Sequence, residues 1–195
     1  MASDCLSFED GLKLVSLRAQ AMQKACDDTE GTMAAILGME DDDLAKLCND
    51  SDHVVVAANY NCPGQVVISG SQDGVNEVME TAKVKGARRA IVLPVNGAFH
   101  SPLMSSAQQA LSEAIDKTTF ATPSIPVYQN VTARSETDPE RIKNNLKAQL
   151  TSSVKWTQSM KQMIEDGESS FIEFGAKVLS GFIRKVDRSL PTEQY

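Results

Sequence analysis

Between residues 31 and 95, short apolar runs alternate with amphipathic stretches in an order that few folds accept. Residues 32–38 (TMAAILG) read as a strand. Residues 41–48 read as a short helix with acidic residues at its N-terminal end, where the macrodipole favours them. Residues 53–58 (HVVVAA) and 65–69 (QVVIS) read as strands joined by turn chemistry from Asn59 to Gly64. Residues 71–85 read as a helix with Val75, Val78, Met79 and Ala82 on one face, and 90–95 (AIVLPV) as a fourth strand. The order is β-α-β-β-α-β, that of a split βαβ unit.

The flanking segments have a different rhythm. Residues 7–27 read as a helix opened by a Ser7/Asp10 capping box, with Leu12, Val15, Ala19, Met22 and Cys26 recurring at steps of three and four. Leu14, Arg18 and Met22 also lie four apart, which puts Arg18 at the border of the apolar stripe. A helix over 101–118 can be capped by Ser101, with Pro102 at its first position. Strands at 127–131 and 171–174 then alternate with helices at 139–150, 154–166 and 177–189. The expected fold class is therefore α/β and nested: a ferredoxin-like unit over residues 31–95 inside an α/β remainder made of 1–30 and 96–195.

Charge and composition exclude several function classes. The chain has 195 residues, with 19 Lys and Arg against 26 Asp and Glu, a net charge of −7. That length buries a core without staples, and that charge argues against general nucleic-acid binding, which needs a basic surface. No apolar run approaches the about 20 residues that span a bilayer, so no membrane partner is expected. The first ten residues have neither a basic nor an apolar signal region. Cys5, Cys26, Cys48 and Cys62 form no C-x-x-C pair, so reduced thiols and a cytoplasmic location are expected, with no metal site.

Few residues are equipped for chemistry. His53 opens a β-branched run and reads as a strand-edge residue. His100 lies in Gly97-Ala98-Phe99-His100-Ser101-Pro102-Leu103-Met104, between a strand and a capped helix, where α/β sites collect; it is a solvent-exposed loop histidine or a base. Arg18 needs a partner for its charge: a structural salt bridge, or a bound carboxylate gripped by its planar fork. Asn59 and Asn61 either form a turn or touch a ligand. Lys83, Lys85, Arg88 and Arg89 crowd four cations into seven residues, as a solvated helix end or as a dock for an acidic partner. No G-x-S-x-G elbow exists; Gly70-Ser71-Gln72-Asp73-Gly74 has its serine one place too early, and nothing marks Cys62 as activated.

Four segments together resemble the malonyl-CoA:acyl-carrier-protein transacylases of bacterial fatty-acid synthesis. They are the stretch from Leu14 to Gln23, the stretch from Ala58 to Gly70 (ANYNCPGQVVISG), Gly97 to Met104 (GAFHSPLM), and Gln149 to Trp156 (QLTSSVKW). The resemblance runs from about Ser3 to Leu190. It implies an α/β-hydrolase-like acyltransferase core with an inserted ferredoxin-like subdomain, and a ping-pong transfer of malonyl from coenzyme A to the phosphopantetheine thiol of acyl carrier protein. In that scheme His100 is general base and then acid, and the Gln149 backbone carbonyl orients it. Arg18 binds the malonyl carboxylate and Asn61 helps order the site. Residues 83–89 contact the acidic carrier. Malonyl-CoA is a substrate, and no cofactor is expected.

The resemblance also has departures. The family's Gly-His-Ser-Leu-Gly-type elbow, and the oxyanion-loop motif before it, belong upstream of the segment beginning at Ala2, so the chain resembles a C-terminal portion without a nucleophile. The run Glu173-Phe174-Gly175-Ala176-Lys177-Val178-Leu179 is shorter than the family's Glu-x-Gly-Pro-Gly-Lys-Val-Leu. The expectation is a chain that is inactive alone, exposes unpaired sheet edges, and works only with an N-terminal fragment. The competing readings are a non-enzymatic ferredoxin-like module that binds acyl carrier protein, and a degenerate acyltransferase using Cys62 or Ser101 as nucleophile.

Overall fold

The computed structural model of the chain describes residues 2–195. Helix α1 (Phe8–Asp28) starts where the sequence marks it: the Ser7 hydroxyl accepts from the Asp10 amide at 3.0 Å and donates to the Asp10 carboxylate at 2.7 Å. A cap of this kind is worth about 1 kcal/mol. Its inward face differs from the expected stripe. Leu12 and Val15 are exposed, and the helix turns Gly11, Leu14, Arg18, Ala21, Met22, Ala25 and Cys26 towards the protein. The stripe is rotated by about one position, so Arg18 sits within the buried face instead of at its border.

Strands β1 (Gly31–Leu37), β2 (Val55–Cys62), β3 (Gln65–Ser71) and β4 (Arg89–Val92) form one antiparallel sheet in the order β2-β3-β1-β4. Helices α2 (Asp41–Asp50) and α3 (Gln72–Val84) cover one face, where Leu44, Leu47, Val75, Val78 and Ala82 meet Ile36, Val55, Val66 and Ile68. On the other face Met33, Ala58 and Val67 pack with Phe99. One expectation fails in detail. The Asn59–Gly64 turn is confined to Pro63 and Gly64, and β2 continues through Asn59, Tyr60, Asn61 and Cys62 with register shifts at Ala57/Asn59 and Tyr60/Cys62. Pairing with Gln65, Val66 and Val67 overrides the local turn preference of the asparagines.

A second core forms where α1 meets α4 (Ser105–Lys117) and α5 (Pro139–Ala148), with Cys5, Ala25, Met104, Leu111, Ile115, Ile142 and Leu150 buried. A short 3-10 turn, Pro102–Met104, leads into α4, so the expected helix over 101–118 begins with a tighter turn. Beyond it lie β5 (Val127–Gln129), β6 (Arg134–Glu136), α6 (Trp156–Glu165), β7 (Phe171–Glu173), α7 (Leu179–Val186) and β8 (Thr192–Gln194). Strands β5 and β6 pair antiparallel, and β7 and β8 pair parallel; β6 and β8 carry no periodic signal in three residues. The architecture is mixed α/β.

The shortened run after β7 closes on Glu173. Its carboxylate accepts from the Ser180 hydroxyl at 2.6 Å and from the amides of Val178, Leu179 and Ser180 at 2.8–3.0 Å, at the start of α7. The Ser180 hydroxyl and these amides hold its pKa down, from an ordinary 4.5 to about 2. A depressed carboxylate stabilises the fold fully above its unfolded pKa and loses that contribution as pH falls through the folded one. Replacing it in Glu173→Gln should lower the melting temperature at neutral pH. The gap to wild type should shrink between pH 4.5 and about 2, as thermal melts across that range will read.

Candidate active site

The site is assembled around the segment from Gly97 to Ser101. Gly97 and Ala98 are buried, and there is no room beside them: a Cβ on Gly97 would lie 2.3 Å from Cys26 Sγ of α1. A Cβ on Gly31, at the start of β1, would lie 2.7 Å from the Ala98 Cβ. The fully buried Ser101 hydroxyl donates to the Ala98 carbonyl at 2.6 Å and accepts from the Leu103 amide at 3.2 Å, locking the turn into α4. Between these clamps His100 adopts a left-handed backbone, φ 59°, a conformation that costs an L-residue about 1–2 kcal/mol.

The half-buried His100 ring points its Nδ1 at the Gln149 carbonyl oxygen, 2.9 Å away. A carbonyl only accepts, so Nδ1 carries the proton and Nε2 is left as the acceptor. Burial pushes the imidazole pKa below its ordinary value; hydrogen bonding to the backbone of Gln149 and Ser152 opposes this, and the Arg18 charge adds to the depression. The ring is thus neutral at pH 7, the state a general base requires.

Arg18 does not form the structural salt bridge. Among the described residues its guanidinium has neither an ion pair nor a side-chain hydrogen bond, and burial lowers its pKa. It borders two clefts. One, of about 230 Å³, is apolar and runs between α1, α4 and α5 past Leu14, Leu111, Leu146 and Gln149. The other, of about 420 Å³, runs past Met22, Cys26, Asn96 and Phe99. A larger cleft of about 780 Å³ beside Asp41, Tyr60 and Lys161 touches none of Arg18, His100 or Gln149. Unsatisfied positive charge, not volume, singles out the clefts at Arg18.

The remaining candidates are dispersed. Asn61 is half-buried in the bulged end of β2, and His53 is exposed just before that strand. Lys83 pairs with Glu80 at 2.6 Å, and Lys85 is exposed at the end of α3. Arg89 is exposed on β4. Arg88 instead joins Lys185 and Arg188 around a cleft of about 310 Å³, a cationic group that the sequence separates by about a hundred residues. Cys62 is fully buried and burial pushes its thiol pKa up; Ser101 is fully buried as a cap. Neither is presented for attack. Among the described residues no group of His, Cys, Asp or Glu is arranged to hold a metal ion, and no helix is long and apolar enough to cross a membrane.

A histidine is thus held by the Gln149 carbonyl, and Gln149 shares a cleft with an arginine unpaired among the described residues. The family model of the acyl transferase domain matches residues 1–187. The chain belongs to the acyl transferase domain family. A malonyl CoA-acyl carrier protein transacylase of Staphylococcus aureus is 41% identical over 194 residues, which cover 97% of this chain and 63% of that relative. The chain therefore spans a little under two thirds of the length of the relative it matches. The acyl carrier protein S-malonyltransferase of Vibrio cholerae superposes with a TM-score of 0.95 at 39% identity, over 99% of this chain and 64% of that one. A malonyl-transacylase solved in complex with its type II PKS acyl-carrier protein superposes at 0.94 with 30% identity, over 99% and 63% of the two chains.

This geometry yields two predictions. Gly97→Ala drives a methyl into Cys26 and should destabilise the fold by about 1–3 kcal/mol; Cys26→Ala in the same chain should return much of that loss, measurable as a double-mutant cycle in denaturant. In NMR titrations His100 should titrate below 6.5, and Arg18→Gln should move it upward by removing a nearby positive charge. An unchanged His100 titration in Arg18→Gln would contradict the coupling.

Proposed function

We propose that this chain carries the general base and the carboxylate clamp of a malonyl transfer, from malonyl-CoA to the phosphopantetheine thiol of an acyl carrier protein. The observation that carries the reading is the half-buried Arg18 guanidinium, unpaired among the described residues, on a cleft also lined by Gln149, whose carbonyl holds His100. A buried charge without a partner is costly. A malonyl carboxylate supplies that partner through two parallel hydrogen bonds. The names of the relatives agree with this substrate, and one structural neighbour was solved holding an acyl-carrier protein.

In this mechanism His100 Nε2 takes the proton of an attacking hydroxyl as it bonds to the malonyl thioester carbonyl. The resulting imidazolium is stabilised by the Gln149 carbonyl at Nδ1 and protonates the departing coenzyme A thiolate. The second half reverses these steps: His100 deprotonates the carrier thiol, which takes the malonyl group. Asn61 helps order the bound acyl chain. Arg88 with Lys185 and Arg188, flanked by Lys83, Lys85 and Arg89, offers local positive charge to the acidic carrier. Among the described residues no hydroxyl or thiol hydrogen-bonds the His100 ring, so we assign the nucleophile to none of them. The finer fold reading is a ferredoxin-like subdomain over 31–95, supported by the strand order β2-β3-β1-β4, inserted in a hydrolase-like core of 1–30 and 96–195. A cytoplasmic location belongs to the same reading.

The test is transfer in two settings. The 195-residue chain alone, incubated with radiolabelled malonyl-CoA, should take up no acid-stable label. Supplying in trans the part of the Staphylococcus aureus relative that this chain does not match should restore transfer to carrier protein. His100→Ala should then cost about 10²-fold or more, and Arg18→Gln should erase the preference for malonyl over acetyl. Label mapped to Ser101 or Cys62, or transfer indifferent to His100→Ala, would sink the proposal.

A further inference from the structure

The Gln149 carbonyl can set the His100 tautomer only if it is itself held still, and it ends a helix and opens a loop. The loop closes on itself through the Gln149 side chain, whose Nε2 donates to the carbonyls of Ser152 at 2.8 Å and Ser153 at 3.3 Å. It is then moored to the sheet. The Ser153 hydroxyl donates to the Ala57 carbonyl at 2.6 Å. The Val154 amide donates to the Ala58 carbonyl at 2.7 Å, and the Val154 carbonyl accepts from the Tyr60 amide at 2.9 Å. These contacts fall where β2 shifts register between Ala57 and Asn59, and Val154 bridges Asn59 in parallel there.

We propose that Ser153 is a positioning residue for His100: its hydroxyl, bonded to the bulged β2, fixes the loop whose Gln149 carbonyl holds the imidazole in its Nδ1–H form. Three features single it out. Ser153 makes the one side-chain link between the stretch from Gln149 to Val154 and the sheet, among the described residues. Its own carbonyl accepts from the Gln149 side chain, so displacement of Ser153 reaches Gln149 through a single hydrogen bond. The carbonyl of Ser152, its neighbour, accepts from the same Gln149 amide at 2.8 Å, so the Gln149 side chain is tied to both serines of the anchored turn. The inference rests on His100 as the base of the proposed transfer for its significance, but not for its test.

The chain suits a direct reading because it has two histidines, and the exposed His53 has no ring hydrogen bond among the described residues. Long-range proton–nitrogen NMR of the imidazoles reports the tautomer of each. In the unaltered chain His100 should be mainly Nδ1–H. Ser153→Ala should lower the ratio of Nδ1–H to Nε2–H by roughly 2- to 10-fold, the worth of one ordinary hydrogen bond, while His53 stays unchanged. Ser153→Thr keeps the hydroxyl and should restore the ratio. Gln149→Met removes the amide but not the backbone carbonyl, and should produce the same shift if Ser153→Ala does not fold. A folded Ser153→Ala, or failing that a folded Gln149→Met, with an unaltered His100 tautomer overturns the proposal. Because no transfer is measured, failure of the malonyl reading leaves this outcome legible.

Discussion

The pairing of Val154 with β2 is the contact on which the rest of the molecule depends. Strand β2 is an outer strand of the four-stranded sheet, so its free side would present unpaired amides and carbonyls. The bridge between Asn59 and Val154, with hydrogen bonds from Val154 N to Ala58 O and from Tyr60 N to Val154 O, satisfies part of that edge. The Thr157 hydroxyl adds a bond to the Tyr60 carbonyl at 3.0 Å. The same contact joins the sheet to the helical half, because the loop that supplies Val154 begins at the end of α5. A single device thus closes a sheet edge, joins two cores and aims a carbonyl at His100. Phe99 reinforces it from the other side, packing against both the sheet cluster and the α1–α4 cluster.

That rigidity offsets costs concentrated at the site. His100 sits in a left-handed conformation, and Arg18 keeps a half-buried charge with no counter-ion among the described residues. Each is unfavourable alone, and such features persist where surrounding packing over-determines them. Gly97 against Cys26 and Gly31 against Ala98 provide that packing, at separations where an extra methyl would not fit. The two costs also act on one another. Burial is the main cause that lowers the His100 pKa, and the Arg18 charge adds to it; a bound carboxylate would relax that second contribution.

Local chemistry made much of this legible. The Ser7 cap and the short apolar runs of β1 and β3 are set by neighbours in sequence, so they read correctly. The second half of β2 did not, because Asn-Tyr-Asn has a turn preference that only pairing with β3 and with Val154 overrides. The inward face of α1 was misjudged by one position because Leu12 and Val15 are apolar yet exposed, and no composition rule forbids that. Strands β6 and β8, three residues each, are too short to show a period. At the site, the acceptor for His100 is a backbone carbonyl, which any residue could supply; only the resemblance pointed to Gln149. Ser153, one polar residue in a polar loop, carried no signal before its partner on β2 was placed.

A chain of net charge −7 is a poor long-range match for the acidic partner proposed for it. Net charge acts at long range, and salt screens it beyond about 8–10 Å. Inside that distance the local arrangement governs. The four cations chosen from sequence do not act as a block: Lys83 is neutralised by Glu80, whereas Arg88 gains Lys185 and Arg188 from the C-terminal helix region. Lys185 is held toward this cleft by the Gln65 side chain at 3.0 Å, so part of the ordering cost is met before any partner arrives. In the proposed docking, such a surface would repel an acidic protein weakly from afar and hold it in one orientation on contact. Such an orientation would suit an enzyme that must accept one thiol at one imidazole and then release it.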